Sequence, residues 1–323
     1  MDRNIAAKLM NEMGRDRIPF LFVIDFKAEN SLVFKPDEID PGKLLYNING
    51  FTNYSNQVKN DFEFTFNRFP GQKKEYSKRF KSVIKQIALG NTYLINLTCP
   101  TQISSNLGLK QIFERSSAKY KLWLHNSFVV FSPEPFITID HGIIASFPMK
   151  GTIDASHENA EQEIINDPKE IAEHYTIVDL IRNDLNMVAK QVTVEKFRYI
   201  EKLKTSHGDL LQVSSKITGQ LEPGYQERIG EILFMLLPAG SVTGAPKKKT
   251  VEIIVETENY ERGFYTGIFG YFDGQKLDSG VMIRFIEETT EGLIYKSGGG
   301  ITSFSHMESE YMEMINKVYV PVD

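Results

Sequence analysis

Hydrophobic and polar positions along the chain repeat with two periods, and the period indicates the element. Pro19-Phe-Leu-Phe-Val-Ile-Asp25 is an unbroken apolar run, the pattern of a buried strand. Turn-forming Pro36 and Pro41 follow, then aromatic, Asn-rich segments around Asn47 to Phe66. From about Lys74 to Ala88 the period becomes helical, with Phe80, Val83, Ile84 and Ile87 on one face and Gly90 as the stop. A strand over Thr92 to Thr98, a short helix near Leu109 to Ser116 and a strand from Trp123 come next. Phe136 to Ile139 and Ile143 to Ser146 flank Asp140-His141-Gly142, which is hairpin chemistry. With a three-residue loop, residue numbers across this hairpin sum to an even value, making Glu134 and Lys150 diagonal neighbours on one face.

Lys169 to Leu185 predicts a second helix, Glu195 to Lys204 an irregular passage, and Leu210 to Ser214 a strand. Tyr265 to Phe272, Val281 to Ile286 and Leu293 to Lys296, joined by Asp273-Gly274 and Glu291-Gly292 turns, read as a meander. Hairpin-linked strands interrupted by long helices indicate an α+β protein with antiparallel sheet. No repeat or linker-like tract divides the chain, so residues 1–323 read as one domain, with a short N-terminal region (about 1–70) integrated into it.

Composition narrows the function classes. A chain of 323 residues, 41% hydrophobic and 24% charged, can bury a large core. Met1 to Arg17 lacks the uninterrupted apolar core of a signal peptide, and Ile232 to Leu237 is too short to cross a bilayer, so no membrane partner is expected. The single cysteine excludes an internal disulfide and a cysteine-based zinc cluster, which suggests the cytoplasm. A formal charge of −5 without a basic stripe argues against nucleic acid. An anionic ligand must then meet locally collected positive charge.

Several groups could supply chemistry. Lys150 beside Glu134 suits nucleophilic or acid-base work, although the same spacing fits an exposed ion pair. Glu173, Ile177, Leu180 and Asp184 share one helix side, aligning an acid with apolar residues. Ser305 and Glu308 form a Ser-x-x-Glu capping box, after which Glu310, Glu313 and Lys317 stack on one face. Carboxylates without histidine or thiolate suit magnesium. Gly298-Gly-Gly300 lies between a strand and this helix and lets bare amides approach a carboxylate. Pro238-Ala-Gly-Ser-Val-Thr-Gly-Ala-Pro-Lys247 is a second glycine loop without P-loop spacing, followed by Lys248 and Lys249 on a solvated helix face. Arg284, placed with Met282 and Ile286 opposite Val281, Ile283 and Phe285, suits either a planar carboxylate or a structural salt bridge.

In order, these segments resemble the chorismate-utilising enzymes, the family of anthranilate synthase component I, aminodeoxychorismate synthase component I, isochorismate synthase and salicylate synthase. The resemblance runs from about residue 75 to the C-terminus. It is carried by Gly90 to Thr98, Ser132-Pro-Glu134, Pro148-Met-Lys-Gly-Thr152, Ala172 to Leu185, Pro238 to Lys247, Gly298-Gly-Gly-Ile301 and Glu310 to Lys317. It implies an anthranilate synthase component I-like fold, with two packed antiparallel sheets, helices outside and a magnesium-dependent chorismate pocket. By position, Glu173, Glu310 and Glu313 match the magnesium acids, and Glu134 the acid beside the departing C4 hydroxyl. Arg284, Tyr265, Lys317, Thr243, Gly244 and the amides of Gly298, Gly299 and Gly300 match substrate-gripping groups.

Lys150 stands where the family's aminodeoxychorismate synthases typically carry lysine and its anthranilate synthases alanine. The resemblance therefore implies attack of neutral Lys150 on C2 of chorismate, loss of the C4 hydroxyl and addition of ammonia at C4, in folate precursor synthesis. Cys99 lacks a nucleophile-elbow setting and reads as a packed strand residue, so ammonia is expected from a separate glutamine amidotransferase subunit. Two positions depart from the family pattern: Ala239 replaces a common glycine, and Gln212 a frequent histidine. No Leu-Leu-Glu-Ser motif of the tryptophan-binding branch is found. An anthranilate synthase component I and an inactive chorismate-binding protein are the competing readings.

Overall fold

The computed structural model describes residues 1–55, 64–205 and 208–321. Residues 56–63, within the expected Asn-rich aromatic segments, lie outside the described residues. The chain opens with α1 (Arg3–Arg15), β1 (Phe20–Ile24), β2 (Ser31–Phe34), β3 (Leu44–Ile48), β4 (Phe51–Thr52), β5 (Phe66–Phe69) and α2 (Lys73–Ala88). Then come β6 (Leu94–Ser105), α3 (Leu109–Arg115), β7 (Tyr120–Leu124), β8 (Phe128–Ser132), β9 (Pro135–Asp140), β10 (Ile143–Ser146) and β11 (Met149–Asp154). Two helices, α4 (Ala160–Asn166) and α5 (Pro168–Asn186), precede the long strands β12 (Lys190–Thr205) and β13 (Gly208–Gln220). The remainder is α6 (Ile229–Leu236), β14 (Gly244–Ala245), α7 (Lys247–Glu258), β15 (Ile268–Phe272), β16 (Leu277–Val281), β17 (Phe285–Thr289), β18 (Gly292–Ile301) and α8 (Met307–Asn316).

Among the described residues the strands form two nine-stranded antiparallel sheets, as the α+β reading expects. The first runs β11-β13-β10-β9-β16-β15-β1-β2, with β12 also on β13; the second runs β14-β6-β18-β17-β8-β7-β3-β4, with β5 also on β6. β1 is wholly buried because it sits between β15 and β2, which explains its unbroken apolar sequence. The N-terminal region thus contributes strands to both sheets.

Three layers of apolar packing hold these sheets. Leu21, Val23 and Phe269 of the first sheet meet Tyr46, Tyr120, Leu122, Phe128, Val130 and Phe285 of the second. Outside the first sheet, α1, α5 and α6 cover Phe20, Phe22, Ile144 and Ile217. Outside the second, α2 buries Tyr76, Phe80 and Val83 with α7 and α8 against Ile95, Leu97 and Cys99, so Cys99 is the packed strand residue expected. Gly90 follows α2 with φ +74 and returns its N–H to the Ile87 carbonyl, the left-handed stop the sequence shows.

Four local expectations are corrected. The β9–β10 hairpin turns on two residues, His141 (φ 49) and Gly142 (φ 79), and pairs Ile143 with Asp140, giving an odd register sum. Lys150 is therefore not Glu134's diagonal neighbour; β11 leaves the hairpin and pairs with β13. Residues 195–204 are part of β12, made irregular by three register shifts against β13. The expected meander is split, since β15 and β16 belong to the first sheet and β17 and β18 to the second. At the start of α8, Ser305 lies outside the helix, with His306 at the cap, and its Oγ accepts from Thr302 N–H, so the capping box is not formed.

Candidate active site

Glu134 and Arg284 owe their positions to two of the places where the chain changes sheet. It leaves the second sheet at Ser132 and enters the first at Pro135, then returns between Val281 and Phe285. The crossovers lie side by side: Val281 N–H donates to the Glu134 carbonyl (3.0 Å) and Phe131 N–H to the Arg284 carbonyl (3.1 Å). Arg284 takes φ +56 to make the turn, so it does not continue a strand alternation with Met282 and Ile286.

Beside these crossovers opens a cavity of about 700 Å³. Its lining brings together Glu134, Lys150, Glu173, Tyr265, Arg284, Gly298, Gly299, Gly300, Glu313 and Lys317 of the residues singled out in the sequence. A bulge between Lys150 and Thr152, with Gly151 at φ +72, marks the strand that carries Lys150. Lys150 Nζ pairs with Glu173 Oε2 at 3.1 Å, with side-chain exposures of only 19% and 5%. Burial alone pushes this amine's pKa down, but the Glu173 charge and hydrogen bond, with Glu170 and Glu313, outweigh it and hold it above the ordinary lysine value. These carboxylates favour the protonated form of Lys150, so the neutral amine that the resemblance implies requires that proton to leave.

Glu134 is shifted the other way. Burial raises its carboxyl above the usual range, against the opposing hydrogen bond donated by Ser241 Oγ and the charges of Lys150 and Lys317. A carboxyl kept protonated more readily than usual is suited to giving a proton. Ser241 itself was not singled out in the sequence, because only the fold brings it to the crossover.

Four cations, Lys150, Arg284, Lys296 and Lys317, line the cavity together with the four carboxyls of Glu134, Glu170, Glu173 and Glu313. Lys317 Nζ pairs with Glu313 Oε1 (2.7 Å) and donates to the Gly298 carbonyl (3.1 Å). The Arg284 guanidinium donates to the Lys317 carbonyl (2.7 Å) and lies 4.6 Å from the Tyr319 ring centre. Lys296, 3% exposed, also lines the cavity, pairing with Glu287 at 2.8 Å.

The three expected magnesium acids are placed less simply. Glu173 and Glu313 line the cavity, whereas Glu310 is 1% exposed and set behind that lining. A methyl group on Gly299 would lie 3.5 Å from carboxylate oxygens of both Glu310 and Glu313, and one on Gly300 would lie 3.1 Å from Glu173 Oε2 and Lys150 Nζ. The glycines thus keep clear the space these acids face, and hard carboxylate oxygens suit a divalent cation. Among the described residues, however, no three His, Cys, Asp or Glu side chains are grouped to hold a metal. Glu173 and Glu313 are instead drawn to Lys150 and Lys317.

Gly298 to Gly300 also differ from expectation in backbone form. They are not a loop of bare amides but part of β18, facing Thr98, Leu97 and Asn96 of β6. Lacking side chains, they leave clearance beside these acids. Thr243 and Gly244 do not line the cavity. The Thr243 hydroxyl donates to the Ala239 carbonyl (2.8 Å), and Gly244, at φ +128, pairs with Ile95 and leaves no room for a side chain against Leu94. From their loop, Ser241 and Val242 reach the cavity instead.

Two buried ion pairs flank that loop, neither of them legible beforehand as a pair. Lys247 Nζ meets Asp184 Oδ2 at 2.6 Å and the Leu236 carbonyl at 2.9 Å. Burial lowers the Lys247 pKa and raises that of Asp184, each opposed by the other's charge. On the other side, Arg262 pairs with Glu258 at 2.6 Å, both side chains 1% exposed, and donates to the carbonyls of Val242 (3.0 Å) and Asn96 (2.7 Å). Lys248 and Lys249 are solvated as expected, with Lys249 paired to Glu252.

No helix among the described residues is long and apolar enough to cross a membrane. The chain is 49% identical over 313 residues to an uncharacterised PabA-like protein of Pasteurella multocida (strain Pm70), covering 97% of each. It is 34% identical over 261 residues to aminodeoxychorismate synthase component 1 of Salmonella typhimurium, covering 76% of this chain and 56% of that protein. In structure it matches a putative 2,3-dihydroxybenzoate-specific isochorismate synthase from Bacillus anthracis with a TM-score of 0.74 at 20% identity, over 98% of this chain and 87% of that one. The family described as chorismate binding enzyme matches residues 44–323. With that match over most of its length and these sheets around this cavity, the chain belongs to the chorismate-binding enzyme family.

Proposed function

We propose that this protein is an aminodeoxychorismate synthase component I, replacing the C4 hydroxyl of chorismate by ammonia. The observation that carries this reading is the shared cavity of Lys150 and Glu134, a largely buried amine on β11 and an acid with a raised pKa at the β8–β9 crossover. Chorismate is a dianion, and Arg284, Lys296 and Lys317 supply cations for its carboxylates. Tyr265 forms a flat apolar wall between those cations and the aromatic core.

Glu173 and Glu313, were they to exchange their lysine partners for magnesium, would hold it with Glu310, and it would supply counter-charge for a substrate carboxylate and for these acids. Lys150 passes its proton to solvent and, as the free amine, adds through its lone pair to C2. The C4 hydroxyl leaves as water with the Glu134 proton, because hydroxide is a poor leaving group. Ammonia then adds at C4, the double bond shifts back and the lysine amine leaves C2. Splitting one displacement into two is the advantage of covalent catalysis. A separate glutamine amidotransferase subunit would supply the ammonia, and folate precursor synthesis would use the product.

The test is to incubate the protein with chorismate, magnesium and ammonium and identify the product by mass. Aminodeoxychorismate is expected. Anthranilate would select the anthranilate synthase reading, and unchanged chorismate the inactive binder. Glutamine-dependent activity of the purified chain alone would contradict the separate subunit.

A further inference from the structure

We propose that Gln212 is the hydrogen-bond acceptor that receives the incoming nitrogen nucleophile, and that Ser214 and Glu201 fix its amide for this role. The identity of the nucleophile as ammonia rests on the function proposed above. Three side chains run from the cavity wall into the first sheet. Gln212, 5% exposed, lines the cavity, and its Nε2 donates to Ser214 Oγ at 3.2 Å. Ser214 Oγ in turn donates to Glu201 Oε2 at 2.7 Å.

The direction of this chain follows from proton counting. An ionised carboxylate only accepts, so the single Ser214 hydroxyl proton goes to Glu201. The Ser214 oxygen can then only accept from Gln212, which turns the amide nitrogen toward Ser214 and leaves Oε1 for the cavity. Ser214 is 1% exposed, and Gln212 stands directly opposite Glu201 on β12, so the arrangement is built into the sheet. At this point the wall offers, in Oε1, an acceptor with no net charge.

That chemistry selects its partner. The substrate carboxylates are acceptors and would be disfavoured beside Oε1, while the departing hydroxyl is served by Glu134. Of the two reactants, ammonia is the one that brings N–H donors, while the Lys150 amine is held by Glu173. Gln212 also stands opposite Thr152, two residues beyond Lys150, so the acceptor lies on the strand pair that carries the amine. With one N–H held by Oε1, the ammonia lone pair is directed toward the ring. The C4–N bond forms, the C2–N bond to Lys150 breaks with its electron pair returning to the lysine nitrogen, and the surplus ammonium proton passes to that nitrogen. Gln212 exchanges no proton in this sequence.

Steady-state rates with ammonium and chorismate varied in turn decide the matter for wild type, Gln212→Leu, Ser214→Val and Ser214→Thr. Gln212→Leu should raise the KM for ammonium about tenfold, the loss of one hydrogen bond, with the KM for chorismate changed less than about twofold. Ser214→Val should move the same constant by a smaller factor, and Ser214→Thr, which keeps the hydroxyl, should restore it. An unchanged ammonium KM in Gln212→Leu, or equal rises in both constants, would overturn the proposal. The identity of the wild-type product decides the functional reading separately, because the ratio of the two KM values is measured whichever aminated product forms.

Discussion

The gap between the two sheets is filled in two opposite ways. At one end Phe128 stacks on Phe285 with ring centres 4.8 Å apart, beside Leu21, Val23 and Phe269, all almost fully buried. At the other end the same sheets enclose Glu134, Lys150, Glu173, Arg284, Lys296 and Lys317 around a cavity. Tyr265 belongs to both, packed in the aromatic cluster with its ring 5.8 Å from Phe285 while also lining the cavity. The difference lies in the backbone. Regular paired strands bring apolar faces together at the first end. Two crossovers, a bulge and three glycines prevent that closure at the second. Close packing supplies stability at one end, and charge held open to a ligand supplies function at the other.

If the two ends are divided in this way, substitutions should separate activity from stability. The largest effect is expected for Lys150→Ala: aminodeoxychorismate formation should fall at least about a thousandfold, roughly 4 kcal/mol of barrier, with chorismate binding and the melting temperature retained. Rate assays with calorimetry check both parts. Phe269→Ala should do the reverse, costing about 3–5 kcal/mol in a denaturant titration while leaving kcat per folded molecule near wild type.

Ser241→Ala should lower the rate by a smaller factor, about tenfold, and change its pH dependence. In the proposed reaction the reactive form of Glu134 is the protonated one, so activity should be present below its pKa and lost as pH rises through it. Ser241 donates to the carboxylate and lowers that pKa, so its removal should move the alkaline limb of kcat to higher pH. A limb displaced downward would show that Glu134 is not the acid. The smallest effect belongs to the surface pair Lys249–Glu252, half exposed on both sides, where Lys249→Ala should change stability by less than about 1 kcal/mol.

How much of this was legible beforehand depends on how local the signal is. The α5 face of Glu173, Ile177, Leu180 and Asp184 is buried as its spacing predicts, since helix periodicity needs no knowledge of distant strands. The sheet assignment of 281–286 was not legible, because Met282 and Ile283 prolong the apolar pattern through the crossover and nothing marks the left-handed Arg284. The β9–β10 register turned on one residue of loop length, and with it failed the first argument for placing Lys150 near Glu134. Motif resemblance still gathered ten of the cavity residues, since it carries long-range information that periodicity lacks. Its failures are instructive: Thr243 and Gly244 shape the loop from which Ser241 reaches Glu134. The upward shift of the Lys150 pKa was also beyond the sequence, because it depends on a carboxylate 3.1 Å away on another element.

The most direct test of the account is a rapid quench of the enzyme with chorismate and magnesium in the absence of ammonium, followed by peptide mass analysis. The account predicts an adduct on the peptide containing Lys150, with the mass of chorismate less one water, lost on adding ammonium before the quench and absent from Lys150→Ala. An unmodified Lys150 peptide, together with undiminished aminodeoxychorismate formation by Lys150→Ala, would contradict it.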